Sequence, residues 1–226
     1  MKKFNLSRLM MISAMAIFGT LGPFVRNISV TSGELALYRA VLAAVLIGFY
    51  LLTTKQKIPF YDIRNELVLL LISGAAMGIN WILLFEAYRY TTVSVATLSY
   101  YFAPILVTIL SPILFKEKLT AKQIICFVMS TVGIILITGI SDLGSGGSDL
   151  IGILFGLGAA VFYASVVLIN KFIKNAMGIH RTFLQFLSAI IVLVPYVAFT
   201  SGVTLGTMNT KGWICLLVVG IIHSYP

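Results

Sequence analysis

A chain of 226 residues with 59% hydrophobic and only 10% charged residues cannot cover itself with a polar surface, which excludes a water-soluble globular domain. Its formal net charge of +9 sits in short basic clusters between apolar blocks, so it marks a membrane surface and not a nucleic-acid partner. The expected fold is an all-α, polytopic membrane helix bundle with the lipid bilayer as its first partner, because a helix satisfies its own backbone groups in lipid.

In chain order, apolar runs near the ~20 residues needed to cross ~30 Å of hydrocarbon fall at 8–26, 34–53, 67–88, 93–114, 122–139, 150–172, 182–200 and 212–226. The first follows Lys2 and Lys3 as a secretory signal would, but it lacks a clean cleavage site and reads as an uncleaved span. The fourth lies in SYYFAPILVTILSPILFKEKLT, which holds Pro104 and Pro112 and ends in Lys116, Glu117 and Lys118. Neighbouring helices and hydroxyls such as Thr108 and Ser111 are expected to satisfy the carbonyls that the prolines leave unpaired. Cys126 and Cys215 fall in apolar runs near opposite ends of the membrane, so buried small residues are expected and no disulfide or metal pair. The last run is too short to cross.

Twelve of the sixteen Lys and Arg residues fall on one side if the N-terminus is cytoplasmic: Lys2, Lys3 and Arg8; Lys55, Lys57 and Arg64; Lys116, Lys118 and Lys122; Lys171, Lys174 and Arg181. Only Arg26, Arg89 and Lys211 fall on the other, with Arg39 inside the second span. The asymmetry predicts a multi-pass protein of the cell membrane with its N-terminus inside. GISDLGSGGSDL at 139–150 is a Gly/Ser-rich linker and the natural boundary between halves 1–140 and 150–226.

The halves resemble each other. AMAIFGTLGPF sets Phe18 against Phe162 of GAAVFYASVVL at an offset of 144, and LLISGAAMGIN sets Gly74 against Gly220 of LVVGIIHSYP at an offset of 146. Five spans per copy is an odd number, so the second copy enters from the opposite side and the repeats are inverted, an arrangement that places a solute site near the midplane. On this reading the second copy breaks off at Pro226, partway through its third span, and the chain holds about seven to eight of ten spans.

The segment YTTVSVATLSYYFAPILVTILSPILFKEKLTAKQIICFVMSTVGIILI at 90–137 resembles the repeat signature of the EamA-like branch of the drug/metabolite transporter superfamily. A small-residue and Ser/Thr stretch leads into a span with a proline after an aromatic pair; a Lys-Glu-Lys-Leu-Thr hinge and a Gly-containing span follow. AIFGTLGPFVRNI and YRAVLAAVLI look like the start of such a repeat. The resemblance implies a ten-helix, inverted-repeat carrier of small metabolites, often an exporter of amino acids or related compounds, without a cofactor. A non-transporting membrane protein or a degenerate fragment of such a carrier is the alternative, and a homodimer stays open.

Ionisable and amide side chains in a span need a partner, a wet cavity or the interface, so they are the candidate solute-pathway residues. Arg39 lies about a turn and a half into the second span and Glu86 near the outer end of the third, so the two are expected to pair or to line the outer mouth. Asn80 and Trp81, near the middle of the third span, are expected at the solute unless Asn80 only bridges helices. Tyr100, Tyr101 and Tyr163 offer rings with hydroxyls suited to an amphipathic or cationic solute. His223 is a weaker candidate for proton coupling, and His180 beside Arg181 is expected in a solvated loop. No P-loop, dinucleotide fingerprint, HExxH or Ser/His/Asp arrangement is visible, so no catalytic residue, metal ligand or enzyme activity is expected.

Overall fold

The computed structural model describes residues 9–10, 12–13, 16–17, 20, 24–25, 27–56, 60–116, 120–138, 147–176, 178–200 and 209–222. Among them there is no strand. The main helices are α1 (Ser32–Thr53), α2 (Leu67–Tyr90), α3 (Val93–Tyr100), α4 (Phe102–Phe115), α5 (Ala121–Thr138), α6 (Gly147–Asn170), α7 (Gly178–Thr200) and α8 (Thr210–Ile222). A short helical turn at Phe60–Ile63 and a 3-10 turn at Arg64–Glu66 lead into α2. Five segments among the described residues are long and apolar enough to cross a bilayer: Ser32–Thr53, Arg64–Tyr90, Val93–Phe115, Asp149–Asn170 and Gly178–Thr200. The chain is a multi-pass membrane protein. Most of the run 8–26 lies outside the described residues, as does the end of the run 212–226.

Helix starts follow local chemistry. Thr31 accepts from Glu34 N at 3.3 Å to open α1, and Thr92 accepts from Val95 N at 3.2 Å to open α3. Before α5, Thr120 Oγ1 accepts from Gln123 N at 3.3 Å while Gln123 Oε1 accepts from Thr120 N at 2.9 Å, a reciprocal capping box.

The fourth predicted span is broken at Tyr101 into α3 and α4. The break has a cause in Pro104, which becomes the third residue of α4, where no intrahelical donor is required. Pro112 remains inside α4, and four residues later Lys116 closes the helix in the left-handed region at φ 53°. Thr108 does not serve the carbonyls orphaned by proline. It donates to the Pro104 carbonyl within its own helix at 2.7 Å, because that oxygen lies one turn back on the same face. Ser111 Oγ accepts from Lys171 Nζ at 3.2 Å.

The core is assembled by small residues. On α1 the buried positions Leu35, Ala36, Arg39, Ala40, Ala43, Ala44, Ile47 and Leu51 form one helical stripe, and its alanines let neighbouring backbones approach closely. Large apolar residues on the opposite side, such as Phe49 and Leu52, are exposed, as lipid contact requires. α2 packs most extensively on α6 and next on α7, while α1 packs on α7, α2 and α8. Two glycine contacts fix the register. A Cβ added at Gly74 would stand 2.5 Å from Ser188 Cβ on α7, and one added at Gly220 on α8 would collide with Leu42 on α1. Cys215 is a buried free thiol, as expected, and the Cys126 side chain lies outside the described residues.

Candidate functional site

The middle of α2 carries Asn80 and Trp81 in different directions, since adjacent helical residues point about 100° apart. Asn80 faces α6, where its Nδ2 donates to the Ala159 carbonyl at 2.6 Å, and its amide lies near the Tyr100 side chain. Trp81 faces α1 and α7: the Arg39 guanidinium carbon lies 4.8 Å from its ring centroid, and its ring meets Phe186 at 5.4 Å. The two residues expected side by side at the solute therefore belong to two neighbouring groups.

The first group centres on Tyr100, at the break between α3 and α4. Its ring lies 5.5 Å from Tyr163 on α6 and 6.5 Å from Tyr101. Tyr101 and Tyr163 are both about two-fifths exposed while Asn80 is buried, so the group has an amide at its base and hydroxyl-bearing rings at its open side. Tyr100 is the last residue of α3 and Tyr101 the residue at the break. Tyr88 is buried near the same group.

The second group holds the buried cation Arg39, 4% exposed, which makes a cation–π contact with Trp81. The expected pairing of Arg39 with Glu86 is not what forms. Glu86 lies one turn nearer the chain's Thr91 and accepts from the Ser32 hydroxyl, with Arg89 Nη1 at 3.5 Å from the same carboxylate. An i,i+3 partner at the end of the same helix is closer at hand than a side chain a turn deeper on α1. His223 lies outside the described residues. His180 is not in a solvated loop: α7 begins at Gly178, earlier than expected, so His180 sits in its first turn with a buried Nε2 that lacks a hydrogen-bond partner.

Several polar residues escaped the sequence reading. Gln185 Nε2 donates to Ser73 Oγ and to Asn170 Oδ1, both at 2.6 Å, and Ser188 Oγ donates to the Leu71 carbonyl at 2.7 Å. This network joins α2, α6 and α7. Near it the Glu66 carboxylate accepts from the backbone N–H groups of Lys174, Asn175 and Ala176 at 2.9 to 3.3 Å. At the other end of the bundle Thr91 Oγ1 donates to Asp149 Oδ1 at 2.7 Å. Gln185 and Asn170 carried the same signal as Asn80, an amide within an apolar run. Glu66 carried none, because its partners are backbone groups.

The model of the EamA-like transporter family matches residues 5–139. An uncharacterized transporter, YxxF, of Bacillus subtilis (strain 168) is 31% identical over 221 residues, spanning 95% of this chain and 68% of that protein. A solved crystal structure of a protein with 15% identity matches at TM-score 0.68 over 93% of this chain and 72% of its own, which shows the shared helical fold.

Proposed function

The chain belongs to the EamA-like transporter family, and on that premise we propose that it is a secondary carrier of small organic solutes, working by alternating access around the site at Asn80, Tyr100, Tyr101 and Tyr163. The observation that carries the reading is the convergence of an amide and three tyrosines from α2, the α3–α4 break and α6. Such groups are costly to keep in lipid, and a solute passing between helices gives them a use. Arg39 and Trp81 stand behind this group, and Glu86 stands toward the membrane surface. The solute class is small metabolites with both apolar and hydrogen-bonding parts, such as amino acids or related compounds, moved outward across the cell membrane.

The architecture we propose for this is an inverted repeat, residues 1–140 and 150–226. The glycine contacts support it: Gly74 and Gly220 are 146 residues apart, and so are their partners Leu42 and Ser188. Each contact joins one half to the other, and exchanging the halves turns one contact into the other. The Glu66 end of the bundle, with Lys55, Lys116, Lys171 and Lys174 around it, is the cytoplasmic end on the same basis as the charge asymmetry.

A binding screen tests the reading. The purified chain is heated with a panel of small metabolites, and one or more are expected to raise its melting temperature. Asn80→Ala and Tyr101→Ala should abolish that rise while leaving the unliganded protein folded. A ligand whose stabilisation persists in both variants would remove the site from the account.

A further inference from the structure

At the Thr91 end of the bundle a cavity of about 560 Å³ opens between the segment before α1, the first turns of α1 and the last turns of α2. Thr31, Ser32, Leu35, Phe85, Tyr88 and Arg89 are in its wall. Leu35 and Phe85 are only 3% and 1% exposed and close the deep end. One helical turn further in, on the same faces of the same two helices, stand Arg39 and Trp81, in contact with each other. The cavity is therefore separated by two apolar side chains from the cation–aromatic pair, and Tyr88 in its wall lies near Tyr100 of the Asn80–tyrosine group. Across its rim runs a polar link between the two helices, Ser32 to Glu86, reinforced by Arg89.

The rest of the packing says which helix can leave the other. α2 and the residues that flank it are tied to α6 and the segment after it at three depths, by Thr91 to Asp149, Asn80 to the Ala159 carbonyl, and Glu66 to the backbone of Lys174, Asn175 and Ala176. α2 is bound to α7 through Ser73, Gln185 and Ser188. α1 meets α7 differently, with Gly33 against the Tyr196 ring and Gly48 against the Phe183 ring. Polar bonds between helices thus join α2, α6 and α7, while α1 packs on α7 through glycines against rings, and packed helices can shift past one another by small shear.

We propose that Ser32, Glu86 and Arg89 form a gate over this cavity, with Leu35 and Phe85 as its plug, and that it opens when α1 shifts away from α2. The cavity is then the access vestibule of the solute site, an assignment that rests on the carrier reading. Glu86 is a positioning residue here: it holds α1 in place and touches no solute.

The chain has two tryptophans, Trp81 and Trp213, so Trp213→Phe leaves Trp81 as a reporter beneath the plug. The full chain in lipid nanodiscs is titrated with acrylamide, and Trp81 quenching is measured. With the gate intact quenching should be weak. Adding Glu86→Ala should raise the quenching constant at least about threefold, since hydrogen bonds to a charged group shift a two-state equilibrium by about tenfold or more. Ser32→Ala, which removes only a hydroxyl, should raise it in the same direction and serves if Glu86→Ala fails to fold. Thr91→Ala, at the same end but within the pinned body, should leave it unchanged. Equal quenching in the parent and in Ser32→Ala or Glu86→Ala, or an equal rise with Thr91→Ala, would overturn the gate. The measurement needs no solute. A gate that opens in a chain that moves nothing would sink the carrier reading alone, and an unmoved Trp81 in a transporting chain would sink the gate alone.

Discussion

Asn80 shows how a single amide is held in lipid. Its bond to the Ala159 carbonyl crosses from α2 to α6, where a lost partner cannot be replaced by water. Interhelical bonds of this kind contribute about 0.6 kcal/mol and at most about 1.7 kcal/mol, since the unfolded chain in a membrane also finds partners. Asn80→Leu should therefore lower stability by that amount, read from unfolding in mixed detergent micelles, while removing solute binding entirely. The two register glycines should differ more. A methyl at Gly74 meets the Gln185 carbonyl oxygen at 2.5 Å, a backbone atom that cannot turn away, whereas at Gly220 it meets the Leu42 side chain. Gly74→Ala should cost about 2 kcal/mol by overpacking, and Gly220→Ala less than about 1 kcal/mol, in the same unfolding assay.

Among the elements, the α3–α4 break sets the site. Pro104 starts α4 afresh, and the turn at Tyr101 aims Tyr100 at Tyr163. Pro104→Ala restores a donor and favours one continuous helix, so the tyrosines should separate and solute affinity should fall by about tenfold, or ~1.4 kcal/mol, in a direct binding titration. Unchanged affinity would mean that the break does not position the site. The spans themselves were legible, because a run of apolar residues long enough for the bilayer is a one-dimensional signal, and α1, α2, α6 and α7 start or end within a few residues of the expected limits. The break in the fourth was not, though its proline was visible: sequence alone does not say whether a proline sits inside one helix or opens another. The ties between helices were legible on one side only. Asn80 stood out as an amide in an apolar run, but its partner is a carbonyl that any residue at 159 would supply. Glu66 has three backbone N–H partners more than a hundred residues away, which leave no mark in composition or spacing.

Among the described residues, α2, α6 and α7 form a body tied by polar bonds, α1 lies against α7 and α2, and α8 packs on α1 with Gly220 against Leu42. The chain's proposed orientation has a simple check. With Cys126 and Cys215 replaced by serine, a membrane-impermeant maleimide added to intact cells should label Ser94→Cys, on the Thr91 end, and leave Gln56→Cys unlabelled until the cells are opened. The reverse pattern would invert the topology and turn the vestibule toward the cytoplasm. The central claim, that this bundle moves small solutes through the Asn80–tyrosine site, is met most directly by transport itself. The chain is reconstituted into sealed vesicles preloaded with a metabolite that stabilises it in the binding screen, and efflux is followed under an imposed proton or solute gradient. The account predicts efflux above that of protein-free vesicles, lost in Asn80→Ala and Tyr101→Ala. Efflux no faster than from protein-free vesicles under every imposed gradient, from a chain that binds the same solute, would contradict it.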